Sequence, residues 1–529
     1  MKNKLQKWLI PQTVYPVLLV VLVGAFFVGA FWENARCALW ICLAVLIAYV
    51  CRPGSELHTY TMEKQTLFKR GVTLLVALLT VAVCILPMNL FSLWNGEQPG
   101  HRNQYELITE AFLEGRLDFA YGDEDALAEL ENPYDPDERK ESGVRYHWDH
   151  AYYNGKYYMY FGVVPVFLVF MPYRVLTGTA LTTYHATQIF SAATVLGIFA
   201  LFYLLSKLFF KKMPYSVYLA LSVAFSVMSV WYASAEPALY CTAITAALAL
   251  ETWSIWFFVR AVWGEGSENK KILLAAVGAL LGALVFGCRP PIALANILVI
   301  PMLYVFIRQR KFTVKLLGKL IMAALPYAFV AAGLMLYNYA RFENPFEFGQ
   351  AYQLTVADQT SYKLTLNADM LLNIFNNTAE NFFGLAGITK DFPYLRHGGV
   401  FFNFPILFLM AAAFKTAVRK ELRQQKLTPL LIGLVAAMLL ITALDIMWTP
   451  YLLERYRMDI YFLAGIACFL IIGLWLQNSS AKACGGMATA VVVLSVVTVV
   501  SSVLFFMRTT NVYYPDWVEE FGNFLTNGQ

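Results

Sequence analysis

Charged residues are scarce in this sequence, and their scarcity excludes a soluble globular protein. Asp, Glu, Lys and Arg make up 14% of the 529 residues, whereas hydrophobic residues make up 59%. Soluble domains carry about 25% charged residues. Many apolar stretches are about twenty residues long, enough for a helix to cross the ~30 Å hydrocarbon core of a bilayer. The composition therefore predicts an all-α polytopic membrane protein.

Several common functional signatures are also missing. The eight cysteines all lie in apolar stretches or at their edges, which argues against disulfides and against a thiolate metal site. The sequence has no phosphate-binding glycine loop, serine-nucleophile motif or zinc-protease pattern. No internal repeat is visible, so a transporter built from repeated halves gains no support. The loops between the apolar segments are therefore where function is to be sought.

The apolar segments predict about thirteen membrane spans. Lys2, Lys4 and Lys7 precede the first segment, but that segment is too long for the apolar region of a signal peptide. We therefore expect a retained anchor and a cytoplasmic N-terminus. The predicted spans are residues 14–32, 37–51, 70–91, 184–207, 214–233, 238–260, 271–288, 291–307, 316–338, 400–418, 428–448, 458–476 and 485–507.

One further apolar segment, residues 161–178, is predicted not to cross the membrane. It is short, contains Pro165 and Pro172, and carries Arg174 near its end. If it crossed, three basic clusters would face outward, contrary to the positive-inside rule. Those clusters are residues 207–212, 308–319 and 415–426. We therefore predict an interfacial or re-entrant helix.

This topology gives a multi-pass protein of the cell membrane whose long hydrophilic loops are extracytoplasmic. The predicted parts are N-terminal spans (1–91), a first outer loop with juxtamembrane helices (92–183), a central bundle (184–338), a second outer loop (339–399), C-terminal spans (400–507) and an outer tail (508–529).

The first outer loop carries a cluster that can do chemistry. His147, Trp148, Asp149 and His150 are consecutive, and tyrosines follow closely before the chain returns to the membrane. Aromatic rings can stack on a sugar face or form a membrane-interface belt, and a belt with an incidental aspartate is the alternative interpretation. A metal site on His147 and His150 is a weaker hypothesis, because no third ligand follows.

Arginines form a second candidate group. Arg289, Arg341 and the pair Arg455 and Arg457 lie in predicted outward turns, and a guanidinium group suits phosphate oxygens. The alternative is that these side chains only reach lipid headgroups. Asp445 lies in an apolar segment, where a carboxylate is usually functional or paired, and we expect it to partner Arg455 or Arg457.

Three stretches resemble the C-type glycosyltransferases, a superfold that includes protein O-mannosyltransferases and the aminoarabinose transferase of lipid A. They are the amphipathic pattern of residues 105–115, the Gly-Lys-aromatic stretch of residues 154–165, and Glu454-Arg-Tyr456. The sequence departs from the family at His101, where an acidic residue is usual, and at Gly162-Val-Val-Pro165, where Lys-Pro-Pro is customary. The proline that follows Glu-Arg-Tyr in the family is also missing.

The resemblance implies a transferase that moves a sugar from a polyprenyl phosphate or diphosphate to an extracytoplasmic acceptor, with inversion and a carboxylate general base. Asp149 is the expected base, and Glu106 is the alternative. The implied substrate-binding residues are Arg289, Arg341, Arg455, Arg457, His147, His150, Lys156, Tyr158 and Asp445. No cofactor is expected, and a metal is optional because the leaving group is already activated.

The expected partners are the lipid-linked donor, an envelope glycan, lipid or protein acceptor, and membrane lipid, with no nucleic acid. Two other functions stay open at this point. A lipid-linked sugar flippase or transporter would share the composition, and a polysaccharide ligase or polymerase would share the donor.

Overall fold

The structure is a computed structural model, and it describes most of the chain. The described residues are 49, 52–55, 58–63, 66–89, 103–121, 125–360, 367–389, 393, 395–448, 452–513, 516 and 518–520. The predicted spans at 14–32 and 37–51, together with His101, lie outside the described residues, apart from Tyr49 at the end of the second span.

Helices dominate the described residues. The helices are α1 (Leu67–Ile85), α2 (Gln104–Leu113), α3 (Asp125–Ala128), α4 (Pro136–Ser142), α5 (Met171–Thr177), α6 (Thr183–Phe209), α7 (Tyr215–Ala235), α8 (Leu239–Trp263), α9 (Glu268–Phe286), α10 (Pro290–Ala293), α11 (Val299–Arg308), α12 (Val314–Phe342), α13 (Ala368–Phe383), α14 (Val400–Asn403), α15 (Thr416–Gln424), α16 (Thr428–Trp448), α17 (Met458–Gln477) and α18 (Ala481–Tyr513). Two small hairpins pair β1 (Ala151–Tyr153) with β2 (Lys156–Tyr158) and β3 (Gly387–Ile388) with β4 (Leu395–Arg396).

Ten helices among the described residues are long and apolar enough to cross a membrane. They are Leu67–Met88, Thr183–Phe209, Tyr215–Ala235, Leu239–Trp263, Glu268–Phe286, Pro290–Arg308, Val314–Phe342, Thr428–Trp448, Glu454–Gln477 and Cys484–Asn511. Each coincides with a predicted span. The structure is thus an all-α polytopic fold, as the composition predicts.

The span predicted at residues 400–418 is not one continuous helix in the structure. The segment consists of α14, a 3₁₀-helix at Pro405–Phe414, and α15. Phe404 has φ −133° and ψ 82°, outside the helical region. The residue before a proline is pushed toward extended conformations, and Pro405 cannot donate a backbone hydrogen bond. The break at Phe404 therefore follows from Pro405.

The segment predicted not to cross forms a short helix, Val166–Thr177, that begins with a π-helical turn at Val166–Phe170. Twelve residues extend about 18 Å, less than the ~30 Å hydrocarbon core. Its N-terminal end is fixed against the end of α9, because Val164 N donates to Gly287 O at 2.8 Å. A Cβ at Gly162 would lie 2.3 Å from the same oxygen, so this close approach requires glycine.

The two outer loops are joined by main-chain hydrogen bonds. Asn154 and Gly155 both have positive φ, as a two-residue hairpin turn between β1 and β2 requires. Beside this hairpin, Asp149 N donates to Leu354 O at 3.1 Å and Leu354 N donates to His150 O at 2.9 Å. The second loop thereby extends the hairpin of the first.

The helices differ in how much of their surface they bury. The middle of α8 and nearly all of α17 are buried, whereas α12 is almost wholly exposed at the edge of the bundle. The described cysteines are all free thiols. The buried start of α17, the start of α8 and the end of α9 meet beside the first of the two long loops, and this is where the candidate site lies.

Candidate functional site

Asp149 lies at the centre of the candidate site, in a constrained conformation. Its φ is +58°, in the left-handed region that non-glycine residues rarely adopt. Main-chain bonds hold this conformation: the Asp149 amide donates to Leu354, and Gln104 Nε2 donates to Asp149 O at 2.7 Å. The side chain is only 8% exposed. A strained, buried carboxylate held by three chain segments is typical of a functional position.

Both oxygens of the Asp149 carboxylate accept hydrogen bonds. Tyr240 Oη, at the start of α8, donates to Oδ2, and Gln353 Nε2, from the second outer loop, donates to Oδ1 at 2.8 Å. Burial raises the pKa of Asp149, and the Gln353 bond and the positive charge of Arg455 oppose that rise. The carboxyl is therefore oriented by its donors and more basic than an exposed aspartate.

Arg455 lies beside this carboxylate. Its guanidinium carbon is 4.2 Å from the centre of the Tyr240 ring and 5.4 Å from that of Tyr456. Among the described residues it forms neither an ion pair nor a hydrogen bond. Five N–H donors of a guanidinium held between two aromatic rings thus stay available for an anion.

Arg289 belongs to the same site but is already paired. Its Nε donates to Asp459 Oδ2 at 2.7 Å, and its guanidinium lies 5.0 Å from the Tyr456 ring centre. Asp445 interacts electrostatically with Arg289 and Asp459, and its pairing with Arg455 or Arg457 stays a prediction. Tyr160 interacts electrostatically with Asp149, Arg455 and Arg289, which marks these groups as one cluster.

Arg457 and Arg341 are held elsewhere. Arg457 Nη1 donates to both carboxylate oxygens of Glu454 at 2.7 Å, and its Nε donates to Asn381 Oδ1 at 2.8 Å. Arg341 is 4% exposed, donates to Met159 O at 2.5 Å and packs on the Tyr337 ring at 3.8 Å. Both side chains connect elements of the fold, and the structure does not bring either to the Asp149 carboxylate.

Glu106 lies on α2, which covers most of the amphipathic pattern at residues 105–115. Gln104 on this helix contacts Asp149, but Glu106 lies two positions later, about 200° around the helix axis. Its side chain is partly exposed, whereas Gln104, Tyr105 and Leu107 are buried. The helix therefore presents Gln104, rather than Glu106, to the candidate site.

His147 and His150 both contact other residues of the first outer loop. The His147 ring stacks on Tyr121 with centroids 3.6 Å apart, and Tyr121 Oη donates to His150 Nε2 at 2.7 Å. His150 Nδ1 lies 2.8 Å from Trp148 O. Burial lowers the pKa of His150 to about 4, so the ring is neutral near pH 7. No group of three or more potential metal ligands occurs in the part of the chain that the structure describes.

Lys156 and Tyr158, on β2, also lie away from the carboxylate. Lys156 is exposed, and its Nζ is 3.7 Å from Asp118 Oδ1. Tyr158 is buried and packs edge-on against Phe342, with ring centroids 5.4 Å apart. The contacts of both residues are with the hairpin and its neighbours.

An apolar groove begins near Arg289. A cavity of about 400 Å³ lies between α9, α10 and α12, and Asn296 and Tyr327 are the polar residues of its lining. A second cavity of about 100 Å³ also contacts Tyr327 and continues along α12. Phe286, three residues before Arg289, lines the larger cavity. The groove can accept a hydrocarbon chain whose polar end lies near the arginines.

Sequence reasoning missed four residues of the site: Tyr240, Gln353, Tyr160 and Asp459. The only signal in the sequence was that Asp459 follows Arg455 by one helical turn, which allows the two to approach.

In comparisons with known proteins, no protein-family model matches this chain, and neither a curated protein nor a solved structure matches it.

Proposed function

We propose that this protein is a membrane glycosyltransferase that moves a sugar from a polyprenyl-phosphate or diphosphate donor to an acceptor hydroxyl outside the cytoplasm. The observation that carries the proposal is the juxtaposition of Asp149 and Arg455, which contact opposite parts of Tyr240. Transfer from a lipid phosphate needs a base for the acceptor and a cation for the departing phosphate.

In the proposed reaction, the acceptor oxygen forms a bond to the anomeric carbon while the bond from that carbon to the phosphate oxygen breaks. Attack on the face opposite the phosphate inverts the configuration. Asp149 takes the acceptor proton, and Arg455 balances the negative charge that remains on the lipid phosphate. The raised pKa of Asp149 favours this step, because a stronger base transfers the proton more readily.

The groove beside α12 supports a lipid-linked donor. Its lining includes Phe286, three residues before Arg289, and Leu334 and Met335 of the largely exposed helix α12. A polyprenyl chain in this groove would bring its phosphate to the end where Arg289 and Arg455 lie. We assign the phosphate to Arg455, because Arg289 is neutralised by Asp459.

The proposal requires the site to face outside. A cysteine introduced at Lys311 or Gln424 should be shielded from an impermeant thiol reagent in intact cells, and one at Asp516 should be labelled. Reversed labelling would put the site in the cytoplasm and rule out an extracytoplasmic acceptor.

The direct test supplies purified protein with radiolabelled polyprenyl-phosphate sugar and a mixture of envelope acceptors. We expect release of free polyprenyl phosphate and transfer of label to an acceptor. A flippase or a scaffold releases no free polyprenyl phosphate, and that result would contradict the proposal. A ligase or polymerase would transfer preassembled glycan in place of a single sugar.

A further inference from the structure

Helix α13, in the second outer loop, presents three different surfaces along its length. It packs against α16 and is buried on the side of Asn381; Phe382, at the C-terminal end of the helix, is buried too, although it lies in the arc of the second side. Asn381 also accepts the hydrogen bond from Arg457. This side fixes the helix to the bundle beside the arginine segment.

A second side of α13 is apolar but exposed. The exposed fractions of Leu371, Leu372, Phe375 and Phe383 are 59%, 58%, 70% and 56%. At about 100° per residue these four side chains fall within an arc of about 120°. The Phe401 ring stacks on Phe383 with centroids 5.0 Å apart, whereas Leu371, Leu372 and Phe375 stay largely exposed among the described residues. Large apolar side chains clustered in this way are rarely left in water.

The third side of α13 is polar and exposed. Asp369, Asn373, Asn376 and Glu380 fall within an arc of about 60°, directly beside the apolar arc. A helix with adjoining apolar and polar exposed faces is typical of a helix that lies in the plane of a membrane surface.

We propose that α13 is an interfacial helix, with its apolar face in the acyl chains of the leaflet beside the candidate site and its polar face in the headgroup layer. The partner is bilayer lipid, because α13 packs against α16, a helix whose large exposed side chains are apolar. They include Ile432, Leu439 and Leu440, and α16 ends at the exposed Trp448, a residue type enriched at membrane interfaces.

The proposal goes beyond glycosyl transfer and does not depend on it. It adds a contact with the membrane to the second outer loop, for which the sequence predicts only an extracytoplasmic location. Because Asn381 holds Arg457, the same helix connects the membrane surface to the arginine segment.

Spin labels on neighbouring positions test the proposal in the full-length protein reconstituted in lipid nanodiscs. One label is placed on Phe375→Cys and a matched one on Asn376→Cys, with the parent protein taken through the same labelling as a blank. We expect the label at 375 to be relaxed mainly by dissolved oxygen, which concentrates in lipid, and the label at 376 mainly by a water-soluble nickel chelate.

A second pair, Leu372→Cys and Asn373→Cys, repeats the comparison on another turn and replaces the first pair if one variant fails to fold. The same contrast between the two positions is expected. Equal nickel accessibility at the apolar and polar positions would place the helix in water and overturn the proposal. Protection of the apolar position from both reagents would show a protein partner in place of lipid and would also overturn it.

Discussion

The segment Glu454–Arg457 has two sides, and they differ although their arginines are two residues apart. Arg455 faces the first outer loop, where it lies on Tyr240 beside Asp149 and forms no hydrogen bond or ion pair with a described residue. Arg457 faces the second outer loop, where Glu454 and Asn381 take up its N–H groups. The two residues are of the same type and lie in the same short 3₁₀-helix. The existing partners therefore distinguish a binding arginine from a structural one.

On the second side of this segment, Glu454 and Arg457 make contacts that hold elements of the fold together. The His397 ring stacks on Trp231 with centroids 5.5 Å apart, and its Nδ1 lies 3.5 Å from Glu454 Oε2. Burial lowers the pKa of His397 to about 3, so this contact is not an ion pair near neutral pH. Glu454 is neutralised by Arg457, and the cluster ties the second loop to α7.

The largest effect is expected on the side of Asp149. Replacing Asp149 by Asn keeps the volume and removes the base, so transfer should fall by roughly 10²–10⁴-fold. Turnover of labelled donor measures this, and Asp137→Asn, an exposed aspartate of the same loop, is the matched control. If Asp149→Asn keeps full turnover and Glu106→Gln abolishes it, Glu106 is the base.

The next effect separates the two arginines directly. Arg455→Lys keeps the charge and loses the planar fork, so polyprenyl-phosphate binding should weaken by about 1.5–3 kcal/mol, the range for hydrogen bonds to charged groups. This corresponds to roughly 10- to 150-fold in Kd. Calorimetry in detergent compares it with Arg457→Lys, for which we expect little change. An equal loss of polyprenyl-phosphate affinity in the two variants would contradict the distinction between a binding Arg455 and a structural Arg457.

A smaller effect is expected from Gln353, which acts on the base through its hydrogen bond. Gln353→Leu removes a bond that lowers the pKa of Asp149, so that pKa should rise. Activity requires ionised Asp149 and is lost as pH falls through its pKa, so the acidic limb of the pH-rate profile should move to higher pH. If Gln353→Asn returns the acidic limb to its position in the parent protein, the result would support a role of the Gln353 amide in positioning Asp149. If the acidic limb does not move in Gln353→Leu, the result would contradict that role.

The smallest effect on turnover is expected from the Arg457 side. Arg457→Gln and Glu454→Gln should each lower the midpoint of thermal unfolding. The double variant should lose less stability than the sum of the losses in the two single variants. A coupling of roughly 0.5–3 kcal/mol is usual for residues in direct contact. Additive losses would show that the pair contributes nothing beyond its single members.

The sequence predicts the helices well and the site only in part. Long apolar runs indicate spans because the bilayer demands about twenty apolar residues. The one described span that is not a continuous helix, at residues 400–418, breaks at Pro405. Asp149 was predictable because a carboxylate among aromatic rings is unusual. Its donors Tyr240 and Gln353 lie 91 and 204 residues away, and spacing carries no information on such contacts. The partners of the arginines escaped prediction for the same reason.

The most direct test of the account is a density map of the protein with bound polyprenyl phosphate. We expect the phosphate oxygens within hydrogen-bond distance of Arg455, about 2.7–2.9 Å from its nitrogens, with the lipid chain in the groove lined by Phe286 and Leu334. Phosphate density at Arg457 or Arg341, or lipid far from Asp149, would contradict the assignment of this cluster as the transferase site.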